Sequence, residues 1–163
     1  MAKVVLGVGS NMGQRHQNLQ EAINAFKLIP GVEVLKASSI YQTAPIGFLD
    51  QQDFFNGVFM IETDFSPSAV LGFCLGIEAA MGRRRTVKDG PRIIDIDVLL
   101  YENIKTDNHE LTLPHPRMFE RRFVLEPLKD IFPDGRAMGR YFNAELESVS
   151  DQQLTKTIYD LRV

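Results

Sequence analysis

Arg92-Ile93-Ile94-Asp95-Ile96-Asp97-Val98-Leu99-Leu100 decides how this chain is read. The β-rich composition predicts a strand over Ile93 to Leu100. Side chains alternate across a strand, so Asp95 and Asp97 share one face while Ile94, Ile96 and Val98 take the other. An apolar strand that aims two acids the same way is both a structural element and a chemical one.

Upstream of it, Ser66-Pro67 has the form of an N-cap followed by proline at the first helical position. Val70, Leu71, Cys74, Ile77 and Met81 then line one face of a helix from about 67 to 81, closed by Gly82. Phe54 to Thr63 and Val32 to Tyr41 read as strands that pair across the loop from Thr43 to Asp53. That loop is long for a hairpin, and long connections in compact domains are often binding loops. Leu19, Ile23, Phe26 and Ile29 recur at helical spacing until Pro30-Gly31, and Val4 to Val8 forms a first strand ending at Gly9-Ser10-Asn11. Strand, helix, strand, strand, helix, strand is the split pattern of a ferredoxin-like α+β sandwich, an antiparallel sheet with helices on one face. Downstream, a short hairpin is predicted around Asp107-Asn108 and a helix over Met118 to Ile131. Arg140 to Glu147 reads as a helix, and Thr157 to Leu161 has no assignable type.

Length and composition fit one domain over 1–163: the 163 residues are 44% hydrophobic, enough for a self-sufficient core. The 18 basic residues are outnumbered by 21 acidic ones, which argues against a nucleic-acid-binding surface but not against a local anion site. Cys74 is the only cysteine, so an intramolecular disulfide is excluded, and its apolar setting marks it as core filler. The first apolar run is too short for a signal peptide and no stretch approaches a membrane span. The expectation is a cytoplasmic monomer with neither nucleic-acid nor membrane partners.

Two carboxylates on one strand face repel and are costly to desolvate, and a cation between them is the natural compensation. Hard oxygen donors suit magnesium, which keeps waters and completes its shell with phosphates. A merely solvated acidic strand face is the competing reading of a bare Asp-x-Asp. Against it stands the preceding loop, where Arg83, Arg84, Arg85 and Lys88 crowd cations beside the acids, with Gly90-Pro91-Arg92 leading in. Phosphate satisfies both signs at once. Basic residues after a helix C-terminus also complement the macrodipole with no ligand at all. No Walker sequence or dinucleotide fingerprint is present, so Gly9-Ser10-Asn11 reads as an ordinary turn. His115 lies in Leu113-Pro114-His115-Pro116-Arg117, where the prolines stiffen its presentation; a phosphate contact and an exposed loop histidine are equally compatible with that. His16 and His109 read as surface residues.

Together these segments resemble the bacterial 6-hydroxymethyl-7,8-dihydropterin pyrophosphokinases. The shared pieces are Gly9-Ser10-Asn11, Tyr41-x-Thr43-x-Pro45-x-Gly47, Gln51-x-x-Phe54-x-Asn56, Glu78 with Gly82-Arg83-x-Arg85, Gly90-Pro91-Arg92-x-x-Asp95-x-Asp97, and Leu113-Pro114-His115 ahead of Arg121 and Phe123. The resemblance implies a ferredoxin-like fold and transfer of pyrophosphate from ATP to a pterin alcohol, with release of AMP, in folate biosynthesis. It implies that Asp95 and Asp97 bind two magnesium ions, and that Arg83, Arg92, His115 and Arg121 contact the triphosphate. Arg85 would close over it on a mobile loop, and Glu78 and Thr112 would lie in the nucleotide site. Phe54 and Phe123 would sandwich the pterin ring, Asn56 would read its polar edge, and Thr43, Ala44 and Ile46 would complete that pocket. Ordinary core packing is the other reading of the two phenylalanines. Departures from the family pattern are Asp89, where an aromatic is frequent, Gln52 in place of proline, and Phe54 in place of tyrosine. Two other functions compete: a different two-metal phosphoryl or nucleotidyl transferase on the same sandwich, and a non-catalytic ligand-sensing module, which has no need of paired acids beside a basic loop.

Overall fold

The computed structural model describes residues 1–47, 49–83 and 89–163. The predicted order is present: β1 (Ala2–Ser10), α1 (Arg15–Lys27), β2 (Val32–Ala37), β3 (Ser39–Thr43), β4 (Phe54–Thr63), α2 (Pro67–Ala80) and β5 (Asp95–Tyr101). Ser66 caps α2 as expected, its hydroxyl accepting from the Ala69 N–H at 3.2 Å. The antiparallel sheet runs β10 (Thr155–Asp160), β3, β4, β1, β5, with β2 also on β4. The segment predicted as one strand from Val32 to Tyr41 is thus two. They divide at Ser38, whose N–H, through the Val58 carbonyl, and hydroxyl, through the Val58 N–H, both reach the middle of β4 at 2.9 Å.

Both faces of the sheet are covered. Leu6, Phe59, Ile96 and Val98 pack with Leu19, Ile23 and Phe26 of α1 and Val70 and Cys74 of α2. On the other face Val5, Val58, Met60 and Leu99 pack with Val124, Leu125 and Leu128 of α3 (Arg122–Ile131). The one-sided sandwich expected from the element order is therefore extended by a helix on the second face. Its signal is the unbroken Val4-Val5-Leu6 run, since a strand covered on both sides need not alternate. α3 lies mainly over β4 and β3. It leaves the upper ends of β1 and β5 on that face without a helical cover, and the site lies there.

β6 (Thr106–Asp107) and β7 (Thr112–Leu113) form the predicted hairpin, and a 3-10 turn, Met118–Glu120, precedes α3. The tail departs from expectation. Arg140–Tyr141 is strand β9, paired with β8 (Arg136–Ala137), and the helix α4 covers only Asn143–Ser148. Thr155–Asp160 is β10, the sheet's edge strand beside β3. Cys74 is fully buried, as its setting predicted, whereas His16 is half-buried and stacks on Tyr159 at 4.0 Å. No helix among the described residues is long and apolar enough to cross a membrane.

Candidate active site

The strand register assembles the site. Gly9 of β1 lies opposite Asp95 of β5 on one side and Asn56 of β4 on the other; Gly7 lies between Asp97 and Val58. Directly paired residues in a sheet point to the same face. Asp95, Gly9 and Asn56 therefore form one row across the α3 face, and Asp97, Gly7 and Val58 the next. Since the two central positions carry no side chains, the acids and the amide face each other over a floor of bare backbone. A Cβ on Gly9 would stand 3.0 Å from the Asn56 Oδ1, and one on Gly7 would stand 3.2 Å from Leu99. Gly7-x-Gly9 at strand period is the signal that a turn reading of Gly9 overlooks: β1 continues through Ser10.

A cavity of about 530 Å³ opens above this floor. Of the residues singled out by sequence, it gathers Thr43, Ala44, Ile46, Phe54, Asn56, Arg92, Asp95, Asp97, Arg121 and Phe123. Gly7, Gly9, Asp89, Arg117 and Glu120 line it as well, and none of these had been assigned to a pocket. The size is that of an ordinary small-molecule pocket. At its inner end the Asn56 side chain is buried and oriented, its Nδ2 donating to the Thr43 hydroxyl at 2.9 Å. Phe54 and Phe123 are half-buried on the walls, with guanidinium groups of Arg92 and Arg121 each 5.4 Å from the respective ring centroid.

At the acid end, Asp95 is held by two arginines. Arg83 Nη1 donates to Oδ1 at 2.8 Å and Arg92 Nη1 to Oδ2 at 3.2 Å. Glu78 does not line the cavity. It sits behind the acids on α2, buried, accepting from the Ile96 N–H and from Arg83, both at 2.7 Å, and so ties α2, β5 and Arg83 together. Burial pushes its carboxyl above the usual carboxylate range, opposed by the Ile96 N–H and Arg83. His115 and Thr112 also stand outside the cavity lining. His115 is half-buried; its N–H donates to the Leu99 carbonyl and its Nδ1 accepts from the Arg117 N–H. Burial, then Arg121 and Arg117, lowers its pKa. Arg85 lies outside the described residues.

Asn11 is a second residue whose role the turn reading missed. It is buried, and its Nδ2 donates to Gln51 at 2.7 Å and to the Gln52 carbonyl at 3.1 Å, while its Oδ1 accepts from the Arg92 N–H at 2.7 Å. It pins the loop before β4 to the segment that carries Arg92. A polar side chain capable of both donating and accepting, at the end of a strand, is the only trace of this in the sequence.

Asp97 has no guanidinium within hydrogen-bonding distance among the described residues. Burial, followed by the neighbouring Asp95 charge, raises its pKa to about 7, against the lowering pull of Arg121. The sign for stability is clear. Between about pH 4 and 7 the folded, metal-free protein keeps a proton that the unfolded chain has lost, so this group's contribution falls as pH rises through that window. Asp97→Asn removes the ionisation. In metal-free melts, wild type is expected to lose stability relative to Asp97→Asn from pH 4 to 7 and to hold a constant difference above it. A difference that does not change with pH would refute the burial assignment.

The paired acids are a partial coordination set. Among the described residues no group of three or more His, Cys, Asp or Glu converges, as a structural zinc centre would require. Two hard carboxylates with room beside them suit a cation that keeps waters and shares phosphate oxygens.

Comparison with known proteins identifies the family. The family model described as 7,8-dihydro-6-hydroxymethylpterin-pyrophosphokinase matches residues 5–133. A protein of Methylorubrum extorquens named 2-amino-4-hydroxy-6-hydroxymethyldihydropteridine pyrophosphokinase is 44% identical over 134 residues, 82% of this chain and 85% of that one. The Bacillus subtilis protein of the same name is 41% identical over 126 residues, 77% of this chain and 75% of its own. A folic acid synthesis protein of Schizosaccharomyces pombe is 43% identical over 129 residues, and the match spans only 18% of its length. Among solved structures, wild-type HPPK-DHPS of Plasmodium falciparum with SDX-DHP superposes with a TM-score of 0.64 at 15% identity, covering 91% of this chain and 43% of the other.

Proposed function

The chain belongs to the 7,8-dihydro-6-hydroxymethylpterin-pyrophosphokinase family, and on that premise we propose that the glycine-floored cavity is where it acts. It is an ATP-dependent pyrophosphokinase of folate biosynthesis, transferring pyrophosphate from ATP to the hydroxymethyl group of 6-hydroxymethyl-7,8-dihydropterin and releasing AMP.

The observation that supports this placement is the row Asp95–Gly9–Asn56. Two strand spacings, about 10 Å, separate an acid pair from a buried amide across an open floor. A flat heterocycle with a polar edge and a reactive arm fits that span, its edge at Asn56 and its hydroxymethyl group toward the acids. Phe54 and Phe123 offer faces for the ring, and Asn56, already oriented by Thr43, presents a fixed acceptor over Gly9. Thr43, Ala44 and Ile46 close that end.

Asp95 and Asp97 would hold magnesium, two ions in our reading. Bound there, it would neutralise polyphosphate charge and polarise the reacting β-phosphoryl group. The protein's own groups position the reactants: Arg92 and Arg121 reach the cavity, Arg83 supports Asp95, and Glu78 anchors Arg83. We assign His115, Thr112 and Arg85 to the nucleotide side with the triphosphate. The alcohol oxygen attacks the β-phosphorus in line and gives up its proton to water, the bond from that phosphorus to the AMP oxygen breaks, and AMP leaves. No enzyme nucleophile is required.

The test is product analysis. With magnesium, ATP and 6-hydroxymethyl-7,8-dihydropterin, ATP is expected to be converted to AMP in step with pterin pyrophosphate, with neither ADP nor free pyrophosphate, and EDTA is expected to stop turnover. ADP as the nucleotide product would reject pyrophosphoryl transfer.

A further inference from the structure

We propose that Arg83 and Arg92 guard the Asp95 half of the acid pair against bare divalent cations and yield it only to a cation that arrives with a polyphosphate. The inference rests on the metal role assigned above to Asp95. Without ligand, neither oxygen of Asp95 is free: Oδ1 is paired with Arg83 at 2.8 Å and Oδ2 with Arg92 at 3.2 Å. Each oxygen keeps a further lone pair, but a metal ion approaching either one meets a guanidinium charge already in place.

The two locks differ in how easily they move. Arg83 has a side chain only 9% exposed and is gripped from behind by Glu78 at 2.7 Å. Its Nε is buried with no hydrogen-bond partner among the described residues, so there the group is held through Nη1, by its ion pairs with Glu78 and Asp95. Arg92 is 25% exposed, its second acid, Asp89, is 3.9 Å away, and it rests near the Phe54 ring. Arg92 is the lock that can swing.

Charge explains why a polyphosphate is the key. Among the described residues the acids Glu78, Asp89, Asp95, Asp97 and Glu120 are set against Arg83, Arg92, Arg117 and Arg121 in and behind the cavity, which leaves the site close to neutral. A bare divalent cation adds two positive charges to partly buried surroundings and strands a guanidinium, which is costly. A cation carried by a polyphosphate brings its own anions: Arg92 trades a carboxylate for a phosphate oxygen, and the ion pair is exchanged without being lost. The consequence is ordered loading, in which metal affinity is low until nucleotide is present.

The prediction has opposite signs for two ligands. In nucleotide-free protein, Arg92→Gln is expected to bind manganese about tenfold more tightly than wild type by electron paramagnetic resonance, because a competitor has been removed. The same variant is expected to bind MgATP about tenfold more weakly, because a phosphate contact is lost. Arg92→Lys, which keeps a cation, should stay nearer wild type in excluding manganese. A simply structural arginine would weaken both ligands, so manganese affinity in folded Arg92→Gln that is unchanged or reduced overturns the lock. The wild-type protein supplies a second measurement that needs no substitution. Arginine Nε–H resonances are expected to shift with magnesium tripolyphosphate and to stay in place with magnesium chloride alone; movement with magnesium chloride alone would likewise overturn it. Failure here with normal AMP production would leave the pyrophosphokinase reading intact, whereas loss of the EDTA effect would strike at the metal assignment itself.

Discussion

Asp97→Ala is expected to lower kcat by roughly a thousandfold or more while leaving pterin affinity within a few-fold of wild type. Metal and charge stabilisation at the reacting phosphoryl group are commonly worth several kcal/mol, and removing one ligand forfeits much of that. Asp97 is the sharper of the two acids to remove, because Asp95 is also a structural hub for Arg83 and Arg92. Asp97 donates no such bracing and even carries a burial penalty, so its loss should leave the folded, metal-free protein no less stable. Two measurements separate the effects: single-turnover AMP formation for chemistry, and equilibrium titration of pterin in the presence of a non-transferable ATP analogue for binding. Near-normal turnover in a folded Asp97→Ala protein would refute the metal assignment.

How much of this was legible beforehand depends on whether the information is local. The acid pair was readable because a strand's period is fixed at two, and Ile94, Ile96 and Val98 do pack toward α1 and α2 while Asp95 and Asp97 face the cavity. The α2 cap at Ser66-Pro67 and the hairpin at 106–113 are local signals too. What escaped depends on partners distant in the chain. Gly7 and Gly9 acquire meaning only once the register sets them between Asp97, Asp95 and Asn56. Asn11 matters through Gln51, some forty residues on, and Arg92, about eighty on. The edge strand β10 was unreadable because Thr-Lys-Thr-Ile-Tyr-Asp carries little apolar pattern, with Ile158 itself 91% exposed, and its pairing with β3 spans most of the chain. The bracing by Glu78 is likewise non-local. Only the fold reveals that Glu78 braces Arg83 and the β5 backbone from behind the cavity.

Phe123→Ala is expected to weaken pterin affinity by about 5- to 150-fold, the range that corresponds to a stacking contribution of roughly 1–3 kcal/mol. Phe123 stands in the first turn of α3 on the cavity wall, half-buried, with part of its ring against the core beneath the helix. Truncation therefore removes a stacking face and some packing together, and the two must be distinguished. Lost packing lowers the melting temperature of the ligand-free protein and weakens nucleotide and pterin alike. Lost stacking selects for the pterin, leaves MgATP affinity close to wild type, and is partly restored by Phe123→Tyr but not by Phe123→Leu, because only the former returns a π face of the same size. Titrating each variant with pterin and with MgATP separately makes the comparison. If Phe123→Leu recovers pterin binding as fully as Phe123→Tyr, the side chain serves as an apolar wall and the ring must be held chiefly by Phe54 and Asn56.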